Sequence, residues 1–266
     1  MTEPRPQPTA SERSAPSEVT IRVPCDTCVI VSFYDERPID ELVRLLRQLR
    51  SVNAGADFEL CVVINSDCGR PPQIPADLAS TRMIVRENIG FNIGAWDFGW
   101  RQNPGFSFYI FLQDECEIVK SNWLSRYKLL LSSNGVGLVG ESLLHWKDWK
   151  SFKAKSAEIY DACVSLAERR GIRLGRTPTH IQTLALGATA SCLEKTDGFL
   201  VADGKAKAIA TEVLLSRNCI HRGFKISQSA WRPFEYIRHS QWDFLRGDST
   251  SILWNVSRAL KHIKPH

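Results

Sequence analysis

Short apolar runs alternate with amphipathic stretches along the first half of the chain. Runs rich in β-branched and aromatic residues predict buried strands at 28–33, 58–64, 82–85 and 106–112. After the first run, Pro38 starts a predicted helix with one apolar face, acidic residues in its first turn and arginines in its last, which suits the helix dipole. A second helix is predicted to begin at 95–100. Strands and helices that alternate with short links favour a mostly parallel sheet covered by helices.

The second half of the chain has a less regular pattern. Helices are predicted at 122–131, 156–170 and 205–222, the last of them closed by Gly223. A strand is predicted at 135–140. A run of small apolar residues at 183–190 precedes a short helix that ends at 196. Residues 231–242 are aromatic and basic and have no clear period.

Length and composition indicate an ordinary globular protein. The chain has 266 residues, of which 43% are hydrophobic and 24% charged, enough for one large domain or two closely packed halves. The predicted divisions are a disordered, proline-rich leader (1–24), a first half (25–140), a second half (141–230) and a basic, aromatic extension (231–266). No apolar run is as long as a membrane span, and the leader lacks the apolar centre of a secretory signal. We therefore predict a cytoplasmic protein.

The eight cysteines do not form a recognisable metal or redox motif. Cys25 and Cys28 form a CxxC pair, but a zinc site normally needs a second close pair, and none exists. A redox CxxC follows a strand, whereas this one precedes the strand predicted at 28–33. Others, such as Cys61 and Cys163, lie in apolar patterns typical of buried residues. The prediction is that the cysteines are reduced, structural thiols.

Polar residues follow three of the predicted strands. Asp67 lies in a polar turn after the second strand, and a turn rich in Gly and Asn (86–94) follows the third. The fourth strand ends in the row Gln-Asp-Glu-Cys-Glu at 113–117. Glycine lets backbone approach a ligand closely, and open α/β sheets bind ligands at the carboxyl ends of their strands. These features predict a site for a phosphorylated ligand and a hard metal ion.

The order of these motifs resembles the GT-A glycosyltransferases of family 2, and within them the bacterial rhamnosyltransferase or rhamnan synthesis proteins. The resemblance covers about 28–227. It rests on the opening strand 29–36, the strand end 63–67, the Asn-Ile-Gly-Phe-Asn-Ile-Gly-Ala-Trp-Asp segment 88–97, the acidic turn after Leu112, and the segments 211–217 and 223–226. It implies a Rossmann-like nucleotide-diphospho-sugar transferase domain. The implied reaction is sugar transfer, with inversion, from a nucleotide sugar to a glycan or lipid-linked saccharide in bacterial polysaccharide biosynthesis.

The resemblance divides the chain into a donor half (25–140) and an acceptor and catalytic half (141–230). The residues that it implies for the donor lie at the strand ends and in the Gly/Asn turn. They are Tyr34, Glu36, Asp67, Asn88, Gly90, Asn92, Gly94 and Asp97. The alternative is that Asp67 only forms a turn and that the Gly/Asn residues only punctuate a loop. The segment is neither a P-loop nor a GxGxxG motif.

The family places an Asp-x-Asp element after the fourth strand, where its carboxylate joins Mg²⁺ or Mn²⁺ to the donor diphosphate. This chain has no strict Asp-x-Asp. Asp114 is the first choice of ligand and Glu115 the second, while Glu117 would reach only across a tight turn. Because hard divalent ions keep several waters, one or two carboxylates suffice. The alternative is that these residues are solvated loop acids.

An inverting transfer also needs a base that removes the proton of the acceptor hydroxyl. The resemblance implies an acid at the start of the late helix, where Glu212 stands, with Asp197 as the second choice. His180 and Gln182 are predicted to face the acceptor. The alternatives are a surface helix acid at Glu212 and a structural histidine.

The formal net charge is +5, and the basic residues are spread along the chain. The extension 231–266 mixes arginines and lysines with tryptophans, so it either contacts the inner face of an anionic membrane or packs as a tail with solvated charges. No motif supports nucleic-acid binding. Two other functions stay open, namely a non-catalytic nucleotide- or sugar-binding module on the same fold and a Rossmann-like enzyme that binds NAD or ATP.

Overall fold

The structure, a computed structural model, describes residues 25–240, and the predicted leader 1–24 and most of the extension lie outside them. Within 25–240 the chain forms eleven strands and seven α-helices. The strands are β1 (Thr27–Tyr34), β2 (Glu59–Asn65), β3 (Arg82–Arg86), β4 (Phe108–Gln113), β5 (Cys116–Ile118), β6 (Val136–Gly140), β7 (Leu143–Leu144), β8 (His180–Ile181), β9 (Ala185–Thr189), β10 (Lys225–Gln228) and β11 (Ile237–His239). The helices are α1 (Asp40–Ser51), α2 (Phe91–Gln102), α3 (Trp123–Leu131), α4 (Trp149–Lys155), α5 (Ala157–Arg170), α6 (Ala190–Thr196) and α7 (Lys205–His221).

Seven strands form the central sheet, in the order β10-β6-β9-β4-β1-β2-β3. All neighbours pair in parallel except β9, which lies antiparallel between β4 and β6. The predicted α/β class with a mostly parallel sheet and flanking helices is confirmed. The antiparallel strand coincides with the small apolar run predicted at 183–190, where Gly187 packs against Tyr127, Ile110 and Leu131.

Helices cover both faces of the sheet. One face packs α1 and α3 against β1, β2 and β4, with a core that includes Leu45, Ile110 and Trp123. The other face packs α2, α6 and α7, with a core around Trp96 and Phe111. The residues of both cores are buried, so the sheet is rigid. Its carboxyl edge is covered by loops rather than by these helices.

Helix α2 begins at Phe91, four residues earlier than the predicted 95–100. Gly90 has the left-handed backbone (φ 73°) that ends the preceding turn, and the Gly94 N–H already donates to the Gly90 carbonyl at 2.9 Å. Asn92 and Gly94 therefore belong to the first helical turn. The sequence pattern predicts a loop here, because the two glycines and two asparagines of this segment have low helix propensity.

The short strands β5 and β11 were not predicted. Strand β11, within the segment that showed no period, pairs antiparallel with β5 directly after the acidic turn, so that His239 lies opposite Cys116. At least residues 231–240 of the extension therefore belong to the folded domain. The suggested membrane contact rests largely on residues beyond 240, outside those described. Among residues 25–240 no helix combines the length and apolar character needed to cross a bilayer.

The cysteines, all of which lie in the described part, are free thiols, as predicted. Six are buried, while Cys25 is half-buried and Cys68 exposed. Burial raises the pKa of the thiols of Cys61 and Cys163, the latter to about 12, which makes them unreactive.

Candidate active site

The predicted functional segments lie along the carboxyl edge of the sheet in the order of the strands. The polar turn after β2 and the end of β3 come first, then the start of α2, then the acidic turn after β4, and last the segment that leads into β9. From β2 to β9 there are three strand spacings, or about 14 Å. One elongated ligand can therefore reach all of them.

The end of β2 and the end of β3 enclose an open cleft of about 620 Å³ lined by 66–69 and 85–87. Asp67 lies in this cleft and accepts a hydrogen bond from the Tyr34 hydroxyl at 3.3 Å. A hydrogen bond with Glu36 is the main cause that raises the pKa of Tyr34 to about 12. The three donor residues predicted at the first two strand ends thus lie together, with an exposed carboxylate at Asp67.

A network of polar contacts fixes the backbone between β3 and α2. Arg86 donates to the Asn65 side chain at 2.9 Å and to the Ile89 carbonyl at 2.8 Å, and Asn65 donates to the Phe91 carbonyl at 3.2 Å. The side-chain oxygen of Asn88 is buried without a hydrogen bond. Gly90 donates its N–H to Asp203 at 3.1 Å. The start of α2 is therefore held rigidly above β2.

Asn92 and Gly94 hold α2 against the sheet. Asn92 accepts a hydrogen bond from Ser32 at 3.1 Å, which joins the helix to β1. A Cβ at Gly94 would lie 2.0 Å from the Ile89 carbonyl, so only glycine fits. Both predicted residues thus shape the helix start, where free N–H groups and the helix dipole favour an anion.

Asp97 lies one turn further along α2 and faces another part of the molecule. Its carboxylate accepts hydrogen bonds from the Phe199 N–H at 3.0 Å and from Arg101 at 2.9 Å. Asp197, the second choice of base, also pairs with Arg101, and its side chain is 80% exposed. Both acids line a separate cleft of about 310 Å³ beside the ends of α6 and α7. The structure does not bring either of them to the carboxyl edge segments named above.

Asp114 follows β4 at the centre of the edge. Its N–H donates to the Ser32 carbonyl at 3.1 Å, and the residue is only 2% exposed. Burial raises the pKa of its carboxyl group to about 6, although Arg37 at 3.7 Å opposes this rise. One carboxylate oxygen is buried with no hydrogen-bond partner. The alternative of a solvated loop acid is wrong for Asp114.

Glu115 faces strand β11. Its carboxylate pairs with Arg37 and, at 3.3 Å, with the His239 imidazole. The same imidazole nitrogen lies 3.1 Å from the Gln113 side-chain oxygen. Glu115 is therefore not a solvated loop acid either. To bind a metal ion, its carboxylate would have to contact the ion in addition to Arg37 and His239. Glu117 lies within β5 opposite Arg238 rather than in the turn.

Glu212 is connected to this edge through Gln113 and Thr183. Gln113 donates to the Thr183 carbonyl at 2.8 Å. The Thr183 hydroxyl, which lacks a well-aligned hydrogen bond, lies beside the Glu212 carboxyl group. Burial raises the pKa of Glu212 to about 7, and contact with Thr183 opposes the rise. Glu212 lies in the middle of α7, not at its start as predicted, and it is half-buried rather than a surface acid.

His180 and Gln182 lie just before β9. His180 is buried, hydrogen-bonded to the Pro178 carbonyl at 2.8 Å, and burial lowers the pKa of its imidazole to about 4, so it is neutral near pH 7. Gln182 is 6% exposed, and its side-chain oxygen is buried without a partner. The Gln182 side-chain oxygen can accept a hydrogen bond from an acceptor hydroxyl group, because it has no partner in the protein. His180 is less suited to this role, because one of its ring nitrogens already contacts Pro178.

Sequence reasoning missed Arg37, Thr183 and His239. Arg37 directly precedes Pro38, where the predicted helix starts, and has no local signal of its own, while Thr183 lies in a run of small apolar residues. His239 is 2% exposed, but its partners are more than 120 positions away in the chain. No local pattern reveals such a pairing. Among residues 25–240 no group of three or more His, Cys, Asp or Glu side chains forms a metal site.

Comparison with known proteins supports the fold. No protein-family model and no curated protein matches the chain. Among solved structures it is similar to the mannosyltransferase PcManGT from Pyrobaculum calidifontis in complex with GDP-Man and Mn²⁺, with a TM-score of 0.50 and 14% identity. The chain has a glycosyltransferase fold. The match covers 76% of this chain but 54% of that one, so the chain spans about half of its length. The resemblance to rhamnosyltransferases stays a prediction.

Proposed function

We propose that this protein is a glycosyltransferase that moves one sugar from a nucleotide-sugar donor to a saccharide acceptor. The observation that carries the proposal is the row of sites along the carboxyl edge. An open cleft with Asp67, a rigid helix start, a buried carboxylate at Asp114 and a half-buried one at Glu212 follow one another. A nucleoside, a diphosphate and a sugar follow one another in the donor in the same order.

The donor binds with its base in the cleft and its phosphates over α2. Asp67 accepts hydrogen bonds from N–H groups of the base, while Tyr34 holds the carboxylate in place. The diphosphate lies at the N-terminus of α2, where the helix dipole favours a negative charge. Arg86 and Asn65 keep this backbone in position, so little conformational entropy is lost on binding.

Asp114 is the residue that would hold a divalent ion. One of its carboxylate oxygens is buried without a hydrogen bond, and burial raises its pKa in spite of Arg37 at 3.7 Å, which fits a group with capacity for further positive charge. A bound Mg²⁺ or Mn²⁺ supplies positive charge against the departing nucleoside diphosphate. Because such an ion takes further oxygen ligands from phosphates and water, Asp114 with Glu115 beside it meets its needs without a three-residue cluster.

Glu212 takes the proton of the acceptor hydroxyl. With its pKa near 7, the carboxylate is present at neutral pH and still basic enough to accept a proton. The acceptor hydroxyl attacks the anomeric carbon, the bond to the diphosphate breaks, and the configuration inverts. Gln182 and Thr183 offer oxygen atoms to orient the acceptor. Asp197 is exposed and paired with Arg101, so we place it outside the reaction.

The acceptor is a glycan or a lipid-linked saccharide, and bacterial polysaccharide assembly is the setting that the sequence resemblance suggests. The test is a thermal-shift screen of nucleotide sugars, NAD and ATP with and without Mn²⁺, followed by assays of donor hydrolysis and transfer. We expect stabilisation by a nucleoside-diphospho-sugar, stronger with Mn²⁺, together with turnover. Binding without turnover would favour the non-catalytic module. Stabilisation by NAD or ATP alone would favour the other enzyme class.

A further inference from the structure

Phe91 combines an unfavourable backbone with an exposed ring. Its φ of 52° lies in the left-handed region, which is unfavourable for a bulky residue. Of the other three described non-glycine residues with positive φ, Asn122 and Asp197 are of types that tolerate it, and Phe234 is a second bulky one. At 48% exposure the Phe91 ring takes no part in the three apolar cores. The fold gains little from phenylalanine at this position.

The strained conformation is enforced from outside the residue. Asn65 donates to the Phe91 carbonyl, while the preceding turn is held through the Ile89 carbonyl by Arg86 and through the Gly90 N–H by Asp203. These contacts fix the backbone whatever side chain stands at 91. A strained residue that the surroundings hold in place is characteristic of a site with a function.

The backbone of Phe91 adjoins the segment that leads into the cleft. Asn65, which holds the Phe91 carbonyl, is the last residue of β2 and directly precedes Ser66 and Asp67 in the cleft. Within the cleft itself the lining is a polar turn and the charged end of β3, with Val85 the single large apolar residue. A nucleoside base has polar edges and a flat face, and this lining offers polar groups to the edges but no aromatic ring to the face.

We propose that Phe91 is a donor-binding residue whose ring stacks on the base of the nucleotide, while Asp67 binds the base edge. This inference rests on the proposed function and names the part of the donor that the ring recognises. Stacking on an aromatic ring does not depend on which base is present. Phe91 therefore contributes affinity for nucleotides in general, and the base-edge contacts select among them.

The test measures the dissociation constants of nucleoside diphosphates and of inorganic pyrophosphate, together with the melting temperature, for the wild type and three variants. Phe91→Gly removes the ring and accepts the left-handed backbone. We expect it to bind nucleoside diphosphates roughly tenfold more weakly and pyrophosphate as the wild type does, with no loss of melting temperature. Phe91→Tyr keeps the stacking face and should bind like the wild type. Leu129→Ala removes another exposed apolar side chain, on α3, and should change nothing.

Each outcome decides one point. If Phe91→Gly binds nucleoside diphosphates as tightly as the wild type, the stacking role is wrong and the proposed function is untouched. If the variant loses pyrophosphate affinity equally, the ring only shapes the helix start and the inference is again wrong. If the wild type binds no nucleoside diphosphate, both the function and the inference fail.

Discussion

Asp67 and Asp114 each follow a strand on the same edge of the sheet, yet their surroundings are opposite. Asp67 is exposed and is approached by one tyrosine hydroxyl. Asp114 is 2% exposed, with an unpartnered oxygen and a pKa raised to about 6 by burial. An exposed carboxylate can recognise a ligand at little cost to stability. A buried carboxylate lowers the stability of the folded state unless positive charge nearby offsets the lost hydration. We infer that the β2–β3 end binds and the β4–β9 end reacts.

The largest expected effect at the reacting end comes from Glu212→Gln. Without a proton acceptor, kcat should fall by roughly 10²- to 10⁴-fold, while the donor dissociation constant stays the same because the donor cleft is distant. Steady-state kinetics and donor titration measure the two quantities. The matched control is Asp197→Asn, an exposed acid in the other cleft, which should retain full activity. Equal losses in the two variants would contradict the assignment.

Asp114→Asn should weaken Mn²⁺-dependent donor binding by roughly 100-fold, since an ion loses its anionic ligand. Donor affinity measured without Mn²⁺ should change far less. The variant should melt no lower than the wild type, because the substitution removes a buried charge that burial disfavours. Donor titrations with and without Mn²⁺, together with thermal melts, provide the measurement. A metal response that survives in Asp114→Asn would exclude it as the principal ligand.

The dependence on pH separates the two ends further. The folded-state pKa of Glu212, about 7, lies above its ordinary 4.5, so kcat should fall about tenfold per pH unit below 7. The free energy of unfolding changes with pH in the opposite direction. The contribution of Glu212 to stability is fully present below pH 4.5 and is lost as the pH rises through 7. Glu212→Gln should remove both slopes relative to the wild type. A wild-type profile that is flat from pH 5 to 8 would contradict the role of Glu212.

Asp67→Asn should have the smallest effect. An exposed hydrogen-bond acceptor contributes about 1 kcal/mol, so nucleoside-diphosphate affinity should fall about fivefold with kcat and melting temperature unchanged. Isothermal titration with several nucleoside diphosphates would also show whether their order of affinity changes. If kcat falls as much as in Glu212→Gln, the division between a binding end and a reacting end is wrong.

Much of the donor end was predictable, because its signals are local. The strands around β1 and β2, the turn at Asp67 and the Gly/Asn segment can each be read within a window of about ten residues. The reacting end was harder, because burial and pairing decide it. Asp114 and Glu212 were identified through a resemblance. Their raised pKa values, and the contacts of Thr183 and His239, depend on residues far apart in the chain.

The pairing of β11 with β5 has a consequence for how the protein is made. Glu115 and Cys116 receive their partner His239 from a strand that is synthesised about 120 residues later. At a ribosomal rate of about 5–20 residues per second, the acidic turn emerges roughly 6–24 s before that partner exists. A nascent chain can therefore form the cleft at the ends of β2 and β3 while the turn after β4 still lacks this partner. Among the segments along this edge, the acidic turn is therefore the last to acquire all of its partners.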